Sequence, residues 1–173
     1  DVGDGMLSLY QMSSSVGETE ELLLKSTGNT LSPQSWSRDG KYLLYLDRDT
    51  KTGGDLWVLP MDRKEKSSVF LKTDAEERAA QFSPNGKWVA YSSDETNSME
   101  IYVRPFPKSP GKYPVSTMGG VTPRWNDDGT ELYYIAPDGG LMAVPVAATG
   151  TSPGLGTPAR LFLTRAVFGG ASI

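Results

Sequence analysis

One short phrase occurs three times in this chain, and that repetition constrains the fold more than any single motif does. Each copy begins with an aromatic residue, passes through a polar turn that ends in glycine, and continues into an apolar run. The copies are WSRDGKYLLYLD at 36–47, FSPNGKWVAYSS at 82–93 and WNDDGTELYYIA at 125–136. A unit that returns after about 40–47 residues is typical of a repeat architecture, in which each copy builds the same structure.

The turn in each copy predicts a β-hairpin. Asp or Asn stands directly before the glycine, and these residues tolerate the positive φ that tight hairpin turns require. Upstream of the glycine, a Ser or Asn can cap the turn through its side-chain oxygen. The capping residue, the Asx residue and the glycine are Ser37, Asp39 and Gly40, then Ser83, Asn85 and Gly86, then Asn126, Asp128 and Gly129. We therefore expect three equivalent antiparallel hairpins.

Two more runs of strand length follow each hairpin. Proline ends the third strand in every copy, as expected of a residue that cannot donate to a β-ladder. The third-strand runs are DLWVLP (55–60), EIYVRP (100–105) and GLMAVP (140–145), and the fourth-strand runs are SVFLKT (68–73), YPVSTM (113–118) and RLFLTR (160–165). Repeated four-stranded units predict the antiparallel blades of an all-β propeller. A sandwich also has many short strands, but it gives no reason for column-by-column repetition.

The repeats describe a fragment of one propeller domain. Residues 1–30 match only the third and fourth strands, so we expect a half blade there. Full blades are expected at 31–75, 76–120 and 121–167, the last with a Gly-, Pro- and Thr-rich loop at 147–158 predicted as a mobile surface excursion, and the tail 168–173 starts a further blade. Known propellers have roughly four to eight blades, so the remainder is expected to be missing or supplied by another chain.

Composition excludes several classes of function. The chain contains no cysteine and no histidine, which excludes disulfides, thiolate zinc sites and every mechanism that needs an imidazole base. Its net charge of −4 lacks the basic footprint of a nucleic-acid binder. The apolar runs are too short to span a membrane. We predict no cofactor, no nucleic-acid partner and no direct membrane contact for this chain.

The repeated phrases resemble a known propeller family. The pattern W-S-x-D-G-K followed by a D-L-W-V strand is similar to the repeat of TolB-type, WD-like propellers. Longer phrases resemble the C-terminal propeller region of bacterial serine/threonine protein kinases of the Acidobacteria type, over nearly the whole chain. These phrases are EELLLKS (20–26), WSRDGKYLLYLDRDTKTGGDLWVLPM (36–61), FSPNGKWVAYSSDE (82–95), YVRPFP (102–107) and PRWNDDGTELYYIAPDGGLMAVPV (123–146).

The kinase resemblance implies a location and a role. In such proteins a kinase domain precedes a membrane span, and the propeller lies outside the membrane as a sensor or interaction module. The resemblance therefore implies an extracytoplasmic sensing region of a larger, membrane-anchored parent. The G-x-G-x-x-G, V-A-I-K, H-R-D and D-F-G motifs of the kinase domain are absent from this sequence, so ATP binding and phosphoryl transfer are not expected of it.

Three residues are the candidate ligand- or partner-binding residues. Arg124 falls in a first strand, which should line the central channel, and Arg78 falls just before another first strand, in a loop that opens onto the same face. An arginine near a propeller axis can bind a carboxylate or phosphate bidentately. Asp94, between a second and a third strand, is expected to share that face. The alternative for each arginine is a salt bridge to a neighbouring blade.

Other polar and aromatic clusters receive structural interpretations. Asp47, Asp49 and Asp55 resemble calcium ligands only loosely, because their spacing is poor, and a plain polar loop is expected. Asp127 and Asp128 are adjacent on a turn, where turn chemistry explains them. No catalytic residue and no metal site is predicted. The recurring aromatic residues are expected in the core: Trp36, Trp57, Trp88, Trp125, Tyr45, Tyr91 and Tyr134.

These observations favour a non-catalytic β-propeller module that binds an unidentified protein or small molecule. The alternative is a half-propeller that completes a ring by homodimerisation, since open sheet edges invite pairing with another chain. In that case the N-terminal half blade and the C-terminal tail are expected at or near the contact. A TolB-like periplasmic interaction protein is a second alternative. A carboxylate-only hydrolase or lyase needs two converging acids, and no pair shows suggestive spacing.

Overall fold

The computed structural model of the chain describes residues 8–13, 19–26, 29–49, 53–107, 110–147 and 152–164. The half blade contains β1 (Leu9–Gln11) and β2 (Glu21–Leu24). Blade 1 contains β3 (Thr30–Trp36), β4 (Tyr42–Asp49), β5 (Gly53–Pro60) and β6 (Ser68–Leu71); blade 2 contains β7 (Glu77–Phe82), β8 (Trp88–Ser93), β9 (Glu100–Pro105) and β10 (Tyr113–Pro114); blade 3 contains β11 (Val121–Trp125), β12 (Glu131–Ile135), β13 (Gly140–Pro145) and β14 (Ala159–Leu163). The predicted tail at 168–173 lies outside the described residues.

Each full blade is an antiparallel sheet of four strands in chain order. Strand β7 of blade 2 contacts β3 of blade 1 and β11 of blade 3. The first strands therefore lie side by side at the axis, and the predicted propeller fragment of four-stranded blades is confirmed. Within the described ranges no helix is present that could cross a membrane.

The hairpin turns form as predicted. Gly40, Gly86 and Gly129 have φ of 74°, 68° and 75°, a region that glycine enters without a steric penalty. The capping oxygens accept backbone N–H groups across each turn: Ser37 from Tyr42, Ser83 from Trp88, and Asn126 from Glu131, at 2.9, 3.0 and 3.0 Å. We call this end of the blades the turn end, and the opposite end, with the connections at 72–76 and 94–99, the loop end.

The blades are held together by apolar clusters between neighbouring sheets. We call the side of a blade turned toward the next blade in the chain its forward face, and the other side its back face. Leu44 and Leu56 on the forward face of blade 1 share a buried cluster with Tyr91 of blade 2. Blade 2 contributes Ile101 to an equivalent cluster with blade 3. Burying such a side chain contributes about 1.5–3 kcal/mol, so these faces are the main source of stability.

A hydrogen bond repeated between first strands adds specificity to the blade stacking. Ser35 Oγ accepts the backbone N–H of Phe82 at 3.1 Å, and Gln81 Oε1 accepts the backbone N–H of Trp125 at 2.8 Å. Ser35 and Gln81 occupy the same column, directly before the aromatic residue of the repeat. The third member of that column is Arg124, whose guanidinium can only donate.

We expect Gln81→Leu to destabilise the protein by about 1–2 kcal/mol, because it leaves the buried N–H of Trp125 without its acceptor. Gln81→Glu retains an acceptor oxygen and serves as the control. Urea unfolding of the two variants and the wild type measures the difference. Equal stability of the Leu and Glu variants would show that this hydrogen bond contributes nothing to blade stacking.

Trp36 departs from the predicted core. It is 47% exposed, whereas Trp88 and Trp125 are buried and Trp57 is partly buried. Phe82 and Trp125, in the column of Trp36, lie in clusters shared with the preceding blade. The blade before Trp36 is the half blade, which has only two described strands, and no described inner strand covers the indole.

The described part of the loop 147–158 is not the free excursion that the composition predicts. Leu155 forms an isolated antiparallel bridge with Val146, and Pro153 is fully buried. The N–H of Gly156 donates to the carbonyl of Pro145 at 2.8 Å. The loop therefore returns along the end of β13, where Leu155 packs against the cluster between blades 2 and 3. Residues 148–151 lie outside the described residues.

Candidate binding sites at the propeller axis

A cavity of about 290 Å³ opens at the turn end, where the first strands of all three full blades converge. We call it the axial pocket. It is built from equivalent segments of the three repeats, each comprising the end of a first strand and the start of its turn. Its principal lining residues are Trp36, Arg38, Gln81, Pro84, Trp125 and Asp127. Convergent clefts of this kind are common sites of ligand binding.

The axial pocket presents N–H donors beside a flat aromatic surface. The indole Nε1–H of buried Trp125 has no hydrogen-bond partner within the described structure. Arg38 reaches across the pocket and donates from Nη1 to the backbone carbonyl of Asp127 at 3.0 Å, which leaves other guanidinium donors available. Trp36 donates its own Nε1–H to Gly40 O at 3.2 Å and leaves its ring exposed.

This arrangement suits a ligand that combines a hydrogen-bond acceptor with a planar group. A buried donor without a partner loses free energy of about 1–3 kcal/mol, so a rearrangement of the pocket that brings a ligand acceptor to this N–H would be favourable. A carboxylate would also attract the Arg38 guanidinium through charge-assisted hydrogen bonds. The exposed Trp36 ring offers a stacking surface to a planar group.

A second, wider pocket lies at the loop end and is acidic. Its volume is about 540 Å³, and it is lined by Thr73, Asp74, Ala75, Asp94, Glu95 and Asn97. The Asp94 carboxylate accepts the backbone N–H of Glu76 at 2.8 Å. Glu95 forms an ion pair with Lys112. The carboxylates of Asp94 and Glu95 therefore bind to the protein itself and connect neighbouring loops.

Glu77 lies next to the acidic pocket and is fully buried. Burial raises its pKa from 4.5 to about 7, although a hydrogen bond from Thr73 to Oε1 at 2.5 Å opposes the shift. The other carboxyl oxygen has no partner within the described structure. Asp55, Glu95 and Asp94 raise the pKa further through charge repulsion. Glu77 is thus a buried acid whose ionised form is costly.

The structure separates the three predicted site residues. Arg78 is the second residue of β7 and does not precede the strand as predicted; it pairs with Ser92 of β8, two positions before Asp94. Arg78 and Asp94 therefore share the loop end. Arg124 occupies the repeat position three residues after that of Arg78. Its side chain is exposed, and its Nη1 donates to Pro123 O at 2.8 Å. Neither arginine forms an ion pair with a described residue, so the alternative of a salt bridge between blades is not observed.

The predicted acidic loop at 47–55 is mostly strand. Asp47 and Asp55 face each other across β4 and β5, so the polar-loop prediction is wrong for these two residues. Asp47 accepts a hydrogen bond from Asn29 at 2.7 Å, and Asp55 binds Lys72 at 2.5 Å. The described residues contain no group of three carboxylates placed to hold a metal ion. Residues 50–52 lie outside the described ranges.

A third cavity, of about 530 Å³, lies on the forward face of blade 3. We call it the terminal groove. Its lining residues include Thr122, Arg124, Tyr133, Ile135, Leu141 and Leu161. Arg124 thus lies on the first strand of blade 3, as the sequence predicts, and lines a sheet face that no described residue covers.

Sequence reasoning missed the residues of the axial pocket. The recurring aromatic pattern predicts Trp36 and Trp125 in the core, and Arg38 is not among the predicted site residues. One signal pointed to Trp36: the half blade before it lacks inner strands in the sequence pattern, so the first aromatic of the column has no sheet to cover it. No sequence signal indicates that Arg38 reaches Asp127 across the pocket, because that contact depends on the angle between blades.

Comparison with solved structures places the fold among the propellers of TolB type. The chain is similar to a protein assigned to TolB from Agrobacterium tumefaciens, with a TM-score of 0.73 and 19% identity over 93% of this chain. It is also similar to TolB from Acinetobacter baumannii, with a TM-score of 0.63 and 18% identity over 87% of this chain. The chain spans 58% and 38% of these two proteins. No protein-family model and no curated protein matches the chain.

A structure from a study of prolyl endopeptidases is also similar, with a TM-score of 0.57 and 16% identity over 90% of this chain and 25% of that protein. The letters G-T-S-P-G at 150–154 fit the G-x-S-x-G pattern of serine hydrolases. That pattern acts at a strand-to-helix turn with a histidine base, and the chain has no histidine. Ser152 is exposed and its oxygen accepts the N–H of Gly154 at 3.3 Å, so it has a local structural role.

Proposed function

We propose that this chain is a non-catalytic β-propeller binding module whose axial pocket receives a carboxylate attached to a planar apolar group. The observation that supports it most directly is that Trp125, whose buried indole N–H has no described partner, lines the pocket. Arg38 supplies charge, and Trp36 supplies an exposed ring on the same pocket. A ligand of this class includes an acidic side chain or chain terminus of a partner protein beside an aromatic residue.

The wider role that we propose is sensing. The long phrases that resemble the propeller region of bacterial serine/threonine kinases favour an extracytoplasmic sensor region of a membrane-anchored parent. A TolB-like periplasmic interaction protein is the second candidate, favoured by the likeness to two TolB structures. Both candidates use a propeller as a binding surface, so the same pocket serves either role.

The indole N–H signals of the four tryptophans test the pocket directly by ¹H–¹⁵N NMR. We expect benzoate, used as a planar carboxylate probe, to shift the signals of Trp125 and Trp36. Trp57 provides an internal control, because its Nε1–H is also buried without a described partner but lies outside the axial pocket. Assignment by single Trp→Phe variants identifies each signal.

Arg38→Ala should weaken benzoate binding roughly fivefold or more, since a hydrogen bond to a charged group contributes about 1.5–3 kcal/mol when well formed. Lys41→Ala is the matched control, because Lys41 carries the same charge on the same turn and does not line the pocket. Benzylammonium, a cation that carries the same planar ring, should not shift the Trp125 signal. Equal shifts with the cation, or equal affinity in the Arg38 and Lys41 variants, would reject the proposed recognition of a carboxylate.

A further inference from the structure

We propose that the terminal groove is a docking surface for a second copy of this chain, and that it receives the back face of that copy's half blade. Two copies joined in this way close a ring through two identical contacts. The occupant is identified by the contacts that the chain already makes between its own blades. This interaction is independent of ligand binding in the axial pocket.

The lining of the terminal groove corresponds to residues that are buried elsewhere in the repeat. Tyr133 occupies the column of Leu44 and Ala90, and Leu141 occupies the column of Leu56 and Ile101. All four counterparts are fully buried, whereas Tyr133 and Leu141 are partly exposed. Leu161 at the groove rim is 51% exposed. The groove is therefore a blade–blade face that no described part of the chain covers.

Three internal contacts show what covers such a face. In each contact, a residue in the column of Leu141 shares a cluster with a residue of the following blade that stands one position later in the repeat. The pairs are Leu9 with Trp57, Leu56 with Tyr102, and Ile101 with Met142. The forward face of every earlier blade thus packs against a large side chain from the third strand of its successor. Leu141 has no successor within the described residues.

The half blade carries the missing counterpart. Tyr10 stands in the column of Trp57, Tyr102 and Met142, and it is 57% exposed on the back face of the half blade. Leu22, its cross-strand partner, and Met12 are also exposed. Within the described residues, the forward face of blade 3 therefore has no large side chain to cover it, and Tyr10 has no forward face to cover. A Leu141–Tyr10 contact between copies would continue the internal series.

Two copies close a ring when each places its half blade on the terminal groove of the other. Each copy has three four-stranded sheets and one two-stranded sheet, so two copies place eight sheets around the axis, within the usual range of four to eight. A two-fold axis makes the two contacts identical, and the assembly stops at a dimer. Each half blade has only two described strands, and Trp36 beside it is 47% exposed, so the axial pocket stays accessible in this arrangement.

Sedimentation velocity across a dilution series tests the proposal. We expect the wild type to pass from monomer to dimer as its concentration rises. Tyr10→Glu and Leu161→Glu should each raise the concentration of half-dissociation at least tenfold, because a charge is placed in an apolar contact. Leu163→Glu is the matched control: Leu163 is an exposed residue of β14 that pairs with Gly140 and does not line the groove. Circular dichroism verifies that each variant is folded.

Mixing the two variants gives the sharpest readout. A mixed dimer has one fully native contact, between the intact groove of Tyr10→Glu and the intact Tyr10 of Leu161→Glu, and both charges fall in the other contact. Dimers of a single variant have a charge in both contacts, so the mixture should dimerise at lower concentration than either variant alone. A wild type that stays monomeric, variants that dimerise like the wild type, a mixture without rescue, or a mass that grows without stopping at two copies would each overturn the proposal. The last result would indicate an open head-to-tail chain.

Discussion

Replacing Glu77 with glutamine should stabilise the protein by about 3 kcal/mol at pH 8 and leave its stability nearly unchanged at pH 4. Glu77 is fully buried, and burial raises its pKa from 4.5 to about 7. One pKa unit corresponds to about 1.4 kcal/mol. Glutamine has nearly the same shape, keeps an acceptor oxygen for the Thr73 hydroxyl, and cannot ionise.

The sign of the pH effect follows from proton binding. Between the unfolded and folded pKa values of Glu77 the folded state holds more protons, so the free energy of unfolding falls as pH rises through this window. In the wild type this contribution is fully present below about pH 4.5 and is lost by about pH 8. The Gln variant lacks this pH dependence, and the difference between the free energies of unfolding of the two proteins isolates Glu77 from the other acids.

Chemical denaturation at pH 4, 6 and 8 measures this effect, and Glu100→Gln is the matched control. Glu100 is also buried, but its two oxygens accept hydrogen bonds from the Ser116 hydroxyl and the Gly119 N–H. Glutamine there places a donor against a donor, so we expect a loss of about 1 kcal/mol or more. If the stability of Glu77→Gln relative to the wild type does not increase between pH 4 and pH 8, Glu77 is not a costly buried ion.

The fold was predictable because the copies of the repeat can be aligned with one another within this one sequence. The Asx-Gly turns, the strand runs and the terminal prolines recur in register, and each has a local physical cause that survives in the structure. Details that depend on neighbouring strands were less accessible. Strand β10 is only two residues long, Tyr113–Pro114, because proline limits the ladder. In the first strands, Ala79 and Thr122 adopt φ of 54° and 53° at equivalent β-bulges, where no glycine marks the turn.

The candidate site was less predictable because exposure depends on which blade is next. Trp36 and Trp125 fall in one column, yet only Trp125 is buried. Arg124 and Gln81 share another column, yet Gln81 binds the following blade and Arg124 lines the open groove. A repeat pattern treats such residues as equivalent, whereas their environments differ at the two ends of the stack. The axial pocket and the terminal groove are both consequences of this difference.

An alanine series along one column should measure that difference directly. Leu56, Ile101 and Leu141 occupy the same position in blades 1, 2 and 3. The first two are fully buried between blades, so Leu56→Ala and Ile101→Ala should each cost about 2–5 kcal/mol through lost burial and the cavity that remains. Leu141 lines the open groove, so Leu141→Ala should cost the monomer about 1 kcal/mol or less.

The cost at Leu141 should also depend on protein concentration. If a second copy covers the groove, Leu141 becomes a buried contact residue. Leu141→Ala then weakens the dimer, and this loss lowers the free energy of unfolding only at concentrations where the dimer forms. Thermal unfolding of all three variants, at concentrations below and above the dimerisation midpoint, distinguishes a groove that stays open from one that a second copy covers. A penalty at Leu141 equal to that at Leu56 in the dilute monomer would mean that blade 3 is already covered within one chain. A small penalty when dilute and a larger one when concentrated would link the open end of the repeat to assembly.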